Sequence, residues 1–321
     1  MLAQLAGAKQ IAKDLLESRR WPDRPQTINV EITAACDARC IHCPRFDMDR
    51  PMKAMAMDLF QRLIDQAGAL KVPYLCPNGY GEICTIPVSG LEAYLEVIAS
   101  SGHRFKVLIN SNGHRMTEDR SALFVKHGVR LVNVTIDGAT AATAEAIRRN
   151  LSFERVEANV KRLLALRDAM GATYPKVRVG MIAMPQTIPE VEPFLARWRG
   201  VADFVGIGGF SSRLTSVASA GRASSHIPVS EPPAGRRARA CVLPFRDLNV
   251  WADGKVVLCC EDWNEELVIG DLRSQTLDAI WHGDAIGRVR ASHLQGAGTD
   301  VALCARCDSW QRPSGGARLW S

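Results

Sequence analysis

The chain lacks the features that would assign it at once to a specialised class. No apolar run approaches the roughly 18 residues of a membrane span, and Lys9, Lys13 and Asp14 interrupt the apolar residues near the N-terminus. Charge of one sign is also scarce: 40 Lys and Arg stand against 34 Asp and Glu, a formal excess of +6. So small an excess favours an anionic ligand over a nucleic-acid tract, and no nucleic-acid or membrane partner is expected. Cysteine is sparse, ten in 321 residues or about 3%, well below the roughly 8% of a disulfide scaffold. A hydrophobic share of 47% and a charged share of 23% exclude a disordered or collagen-like chain. What remains is a cytoplasmic globular protein with about two domains at roughly 150 residues each.

The few cysteines are grouped: Cys36, Cys40 and Cys43; Cys76 and Cys84; then Cys241, Cys259, Cys260, Cys304 and Cys307. In a reducing compartment such groups suggest metal thiolates. The rest of the chain supplies their scaffold. Leu2 to Arg20 has the spacing of a helix, ended by Trp21-Pro22, and residues 1–25 form an accessory segment. From Gln26 six strand candidates follow: Ile28–Thr33, Val72–Leu75, Arg104–Ile109, Val129–Ile136, Lys176–Met184 and Ala202–Ile207. Helical patterns lie between them at Met57–Ala67, Leu91–Ser101, Glu118–His127, Thr143–Met170 with a break near Asn150, and Glu190–Arg199. That alternation predicts an α/β core over 26–210, a partial six-strand TIM-like barrel with right-handed crossovers and its ligands at the strands' carboxyl ends. Residues 211–240, rich in Ser, Arg, Gly and Pro and carrying the basic run Arg236, Arg237 and Arg239, read as a linker or a loop over the barrel mouth. In the remaining 241–321, Asp253-Gly254 marks a hairpin and Thr276 to about Leu294 a helix.

The motif Cys36-Asp-Ala-Arg-Cys40-Ile-His-Cys43 directly follows the first strand, so three thiolates project from one tight loop. Structural zinc and Cys₄ iron–sulfur clusters each take four ligands, so three cysteines imply an iron with one position open. Zinc would need a fourth ligand, and His42 sits between two cysteines with its ring expected to point away. The spacing, at the end of the first of six βα strands, resembles the radical S-adenosylmethionine (SAM) superfamily over roughly Ile28 to Ile207. The resemblance implies that the open iron holds the amino and carboxylate groups of SAM and cleaves it, with an electron from a flavodoxin or ferredoxin, to a 5'-deoxyadenosyl radical. Tyr80-Gly81-Glu82 resembles the family's Gly-Gly-Glu-Pro element, with Tyr80 for the first Gly and Ile83 for the Pro, and so implies contact with the SAM amino group. Ser111-Asn112-Gly113 and Thr135-Ile136-Asp137-Gly138 end the third and fourth strands, where the family holds the ribose and carboxylate of SAM. Arg148, beside Arg149, is expected to meet that carboxylate. His42 stands where the family often has an aromatic residue, which implies adenine packing or a hydrogen bond.

Cys241, then twelve residues, Gly254, four residues and Cys259 form one stretch, and with Cys304 and Cys307 its cysteines supply four thiolates. By ligand chemistry alone they suit closed zinc or a [4Fe–4S] cluster. Their spacing resembles the SPASM and twitch extensions of radical SAM enzymes, which implies iron–sulfur. No cysteine follows Cys307, so the shorter twitch form with one auxiliary cluster is expected. Cys260 is left over. Neighbours in a strand point to opposite sides, so Cys260 is expected to face the barrel mouth if Cys259 binds the cluster. A thiol hydrogen there suits return of a hydrogen atom to a carbon radical, the role of a cysteine in radical SAM epimerases. The resulting expectation is epimerisation at a carbinol carbon of a sugar or aminocyclitol, as in antibiotic-pathway enzymes. The alternatives are a dehydrogenase in which Glu261 or Asp262 removes a proton, a ribosomal-peptide-modifying enzyme, and a zinc-stabilised binding protein. The short segment before Gln26 weighs against a leader-binding domain. Asn78, Arg213 and Glu261 are candidates for substrate contact.

Overall fold

A computed structural model describes residues 22–209, 240–307 and 318–320. The expected helix over Leu2–Arg20, Arg213 and the basic run of the 211–240 segment lie outside the described residues.

Six parallel strands run in sequence order: β1 (Thr27–Val30), β2 (Tyr74–Cys76), β3 (Lys106–Ser111), β4 (Leu131–Thr135), β5 (Lys176–Ala183) and β6 (Phe204–Gly209). Helices α1 (Met57–Ala69), α2 (Val88–Ser100), α3 (Glu118–Lys126), α4 (Ala141–Ile147), α5 (Phe153–Ala169) and α6 (Val191–Trp198) fill the crossovers. This is the partial barrel that the alternating pattern predicts. The strands divide their side chains by the period of two. Ile28, Val30, Val107, Ile109, Val132, Val134, Val177 and Val179 are buried against the helices, which leaves Asn29, Asn110, Asn133 and Arg178 for the concave face.

The helical pattern over 143–170 resolves into α4 and α5. Asn150 adopts φ +71° between them, a left-handed position that asparagine tolerates, and the Ser152 hydroxyl caps the second helix at Arg155 N. The single helix expected from Thr276 to Leu294 is also two, α7 (Leu277–Trp281) and α8 (Asp284–Leu294). Gly283 is the N-cap of α8, and Asp284 in its first turn complements the helix dipole.

The C-terminal strands join the same sheet. β7 (Asp247–Val250) pairs parallel with β1, and β8 (Lys255–Val257) and β9 (Val268–Asp271) continue from it antiparallel. At the other edge β10 (Arg318–Trp320) pairs antiparallel with β6. One hydrophobic core runs from the barrel helices to Leu248, Val250, Ile280 and Trp281. Among the described residues no helix is long and apolar enough to cross a membrane.

Candidate active site

The three-cysteine loop begins where β1 ends, and the mouths of β3 and β4 close around it. Cys36 Sγ accepts from Ala38 N at 3.4 Å and faces Asn112 Nδ2 at 3.9 Å, while Arg148 Nη1 lies 3.8 Å from Cys40 Sγ. Burial pushes Cys36 up to about 12 and Cys40 up to about 11, and raises Cys43 as well. As bare thiols these groups are protonated; the arginines turned toward them suit thiolates bound to metal. Asp37 fixes the loop to β3, accepting from Asn112 Nδ2 at 2.8 Å, His114 Nδ1 at 3.0 Å and Arg115 Nε at 3.2 Å.

Several expected SAM contacts are engaged inside the protein. Glu82 is buried; its Oε1 accepts from Ser111 Oγ at 2.8 Å and Cys84 N at 3.0 Å, and its Oε2 accepts from Asn112 N at 2.6 Å. Asp137, fully buried at φ +60°, accepts from Ile182 N at 2.7 Å and Arg148 Nε at 2.7 Å. Burial opposes the charge on Arg148, but Asp137 beside it holds the guanidinium protonated more firmly than usual. Glu82, Ser111 and Asp137 are therefore struts between strand ends, not open ligands. Thr135, Asn112 and Arg148 line a small pocket beside the loop, together with Glu145. His42 is buried, its pKa pushed down to about 4 by burial. It is therefore neutral near pH 7, and its 3.9 Å approach to Asp137 is no ion pair. Cys76 and Cys84 are both buried.

The Tyr80 hydroxyl donates to the carbonyl of Cys260 at 2.7 Å. The backbone N of Tyr80 donates to Glu31 Oε2 at 3.0 Å. Glu31 in turn pairs with Arg50, whose Nε reaches the carbonyl of Trp263 at 2.8 Å. Glu31 and Arg50 belong to no motif; their one sequence signal is a lone carboxylate in the apolar strand Ile28-Asn-Val-Glu-Ile32.

The auxiliary cysteines gather around α8. His293 Nδ1 accepts from Cys241 N at 3.4 Å, which leaves Nε2 to donate to Cys304 Sγ at 3.4 Å. Cys259 packs against the core, whereas Cys260 is exposed. Asp262 is not available as a base. It is fully buried, and its oxygens accept from Glu266 N at 2.8 Å and Leu267 N at 2.9 Å. Glu261 remains half-buried beside Cys260.

Among the described residues no three cysteine sulfurs lie within 4.8 Å of one another. Four thiolates on one zinc, at about 2.3 Å each, stand only about 3.8 Å apart by tetrahedral geometry. Neither cysteine set is thus drawn in to the spacing of a single bound zinc.

A partial βα barrel with an open three-cysteine loop at its mouth and a second cysteine set alongside defines an iron–sulfur enzyme. The radical SAM superfamily profile matches residues 30–196, and the chain belongs to that superfamily. An iron–sulfur cluster-binding domain, SPASM, matches 241–308. Its cofactors are SAM and [4Fe–4S] clusters. Mycofactocin maturase MftC of Mycobacterium tuberculosis strain H37Rv is 24% identical over 287 residues, 88% of this chain and 63% of that protein. The chain thus spans less than two thirds of the length of that maturase. The S-adenosyl-L-methionine-dependent 2-deoxy-scyllo-inosamine dehydrogenase of Niallia circulans is 20% identical over 285 residues, 88% of this chain and 92% of that protein. Among solved structures, BtrN in complex with AdoMet and 2-DOIA superposes with TM-score 0.59 and 19% identity, over 89% of this chain and 93% of that one. Streptococcus suis SuiB bound to precursor peptide SuiA gives 0.66 and 13%, over 98% and 76%. At these identities both structures share the fold with this chain.

Proposed function

We propose that the protein epimerises a carbinol carbon of a hydroxyl-rich substrate, a sugar or aminocyclitol, and that Cys260 returns the hydrogen atom. The observation that carries the reading is the split between the doubled cysteines, with Cys259 against the core and Cys260 exposed. When bound, the loop cluster and SAM supply a radical that takes hydrogen from an unactivated C–H bond. Cys36, Cys40 and Cys43 hold that cluster; Asn112 and Arg148 face their sulfurs. Cys241, Cys259, Cys304 and Cys307 hold the auxiliary one. Glu82, Ser111 and Asp137 set the backbone of the SAM pocket, so Tyr80-Gly81-Glu82 meets SAM through main-chain atoms, and Thr135 and Arg148 line its edge. Tyr80 fixes the Cys260 backbone, which orients the thiol. The thiol gives its hydrogen to the substrate carbon, and one electron from an external donor such as flavodoxin or ferredoxin, with one proton from solvent, restores it.

A second reading, oxidation of a secondary alcohol with Glu261 taking the proton, draws on the near full-length likeness to the inosamine dehydrogenase. Anaerobically reconstituted enzyme with dithionite, SAM and an aminoglycoside panel in deuterium oxide separates the two. A product one mass unit heavier, lost in Cys260→Ala, is the expected result. A product two mass units lighter that persists in Cys260→Ala overturns epimerisation and assigns the dehydrogenase.

A further inference from the structure

The concave face of the sheet carries a row of amides that ends in one cation. Asn110 N donates to Asn78 Oδ1 at 2.8 Å, Asn133 Nδ2 to Asn110 Oδ1 at 3.0 Å, and Arg178 Nη1 to Asn133 Oδ1 at 2.8 Å. Arg178 lies between Val177 and Val179, both fully buried in the core, so its side chain is on the barrel side of β5. Two glycines paired across β5 and β6 make its bed. A Cβ at Gly206 would come within 2.2 Å of Arg178 Nη2, and one at Gly180 within 3.2 Å of Nη1.

No carboxylate among the described residues answers this guanidinium. Four other interior or mouth arginines have one: Arg50 pairs with Glu31, Arg148 with Asp137, Arg167 with Asp203 and Arg246 with Asp247. Among the described residues Arg178 forms the one hydrogen bond to Asn133, and its Nε is buried with no acceptor. Burial lowers its pKa, and no neighbouring charge opposes that. A second donor on the concave face is also unsatisfied. Asn249 accepts from Asn29 Nδ2 at 2.9 Å, yet its own buried Nδ2 donates to nothing. Leaving a buried donor unpaired costs about 1–3 kcal/mol, more for a charged one. With Nη1 committed to Asn133 and Nε enclosed, Nη2 is the charged donor left to meet an anionic ligand.

We propose that Arg178 anchors a carboxylate of the substrate in the barrel, and therefore that the substrate is an acid. The inference rests on the concave face being the substrate chamber of the proposed reaction. It narrows that reading: an unpaired guanidinium repels a polycationic aminocyclitol and selects a sugar acid or a peptide carboxylate.

Calorimetric titration of the anaerobically reconstituted, SAM-bound enzyme at fixed ionic strength tests it with glucuronate, its neutral amide glucuronamide, N-acetylglycine and inorganic phosphate. One carboxylate probe is expected to bind at least tenfold more tightly than glucuronamide, and which of the two does so identifies the sugar or the peptide source. Arg178→Met should reduce that probe to the level of the amide, and Arg178→Lys should recover part of the difference. Without ligand, Arg178→Met should melt at or above the wild-type temperature, because it removes a half-buried cation that has no carboxylate partner among the described residues. Should Arg178→Met not fold, Gly206→Ala keeps the charge but displaces it, with the same tenfold loss expected. Equal binding of glucuronate, N-acetylglycine and glucuronamide overturns the proposal. So does a preference for phosphate over both carboxylates, or full carboxylate affinity in the folded variants. Binding requires no turnover, so a failure here is distinct from absence of the proposed reaction.

Discussion

A methyl group at position 81 would sit 2.1 Å from the Thr33 carbonyl oxygen and 2.8 Å from that of Ala35. The segment after β2 must run this close, because Glu82 N donates to the Ala35 carbonyl at 2.8 Å and so sets the base of the cysteine loop. Gly81→Ala is therefore expected to cost about 1–3 kcal/mol by overpacking, and to lower the iron bound per chain on reconstitution. Urea unfolding and iron analysis check both, and wild-type values in both would refute the close approach as a constraint. Residue identity was legible in the sequence wherever spacing carried it: the three-cysteine loop, the Gly81-Glu82 element, and the four later cysteines. It was not legible where partners are brought together only by folding. Nothing local marks His293 as the bridge between Cys241 and Cys304, or Arg178 as a cation without a carboxylate. Asp262, adjacent to the cysteine pair and acidic, suited the part of a base until the structure gave its oxygens to Glu266 N and Leu267 N.

At the scale of elements, the strands and helices followed from apolar periodicity, since each strand buries alternate residues against a helix. Two helix breaks had unequal signals: Asn150 announced one, whereas Gly283 was passed over because helical spacing continues on both sides of it. Between elements, Asp203 ties α5 to the two last parallel strands. It accepts from Val177 N at 2.8 Å and Arg167 Nη1 at 2.5 Å, with Lys176 at 3.4 Å. Burial works against the carboxylate, but these donors outweigh it and hold Asp203 below the usual carboxylate range. A depressed folded-state pKa gives stability that is fully present above the unfolded value of about 3.9 and is lost as the pH falls through the folded value. Asp203→Asn should thus cost about 1–3 kcal/mol at pH 7, the range for hydrogen bonds to a charged group. Denaturant melts across pH should show that deficit shrinking below about pH 4. A deficit constant from pH 7 to pH 3 would mean that the ionised form is not what stabilises.

For the whole molecule, the decisive pairing is β7 with β1, four residues of each strand in parallel register. No local pattern encodes it, because some 200 residues separate the partners, and the sequence suggested a second domain where the structure shows a continuous sheet. Arg62 Nε reaches the carbonyl of Leu272, Trp281 Nε1 donates to that of Pro22 at 2.9 Å, and Asp49 exchanges hydrogen bonds with Asn264. Barrel and cluster-binding segment therefore share a core, including the fully buried Trp281. Truncation before Cys241 would strip β1 of its neighbour and expose an apolar strand edge, a site for aggregation. The barrel segment alone is accordingly expected to be insoluble or aggregated, although it contains every residue of the three-cysteine loop. Within the intact chain, Trp281→Ala should cost about 3–5 kcal/mol and, because the core is shared, should lower the unfolding midpoint seen by far-UV dichroism and by the absorbance of the loop cluster together. Soluble monomeric barrel that binds its full complement of iron, or a Trp281→Ala variant in which only the auxiliary cluster is lost early, would show two independently folding units instead.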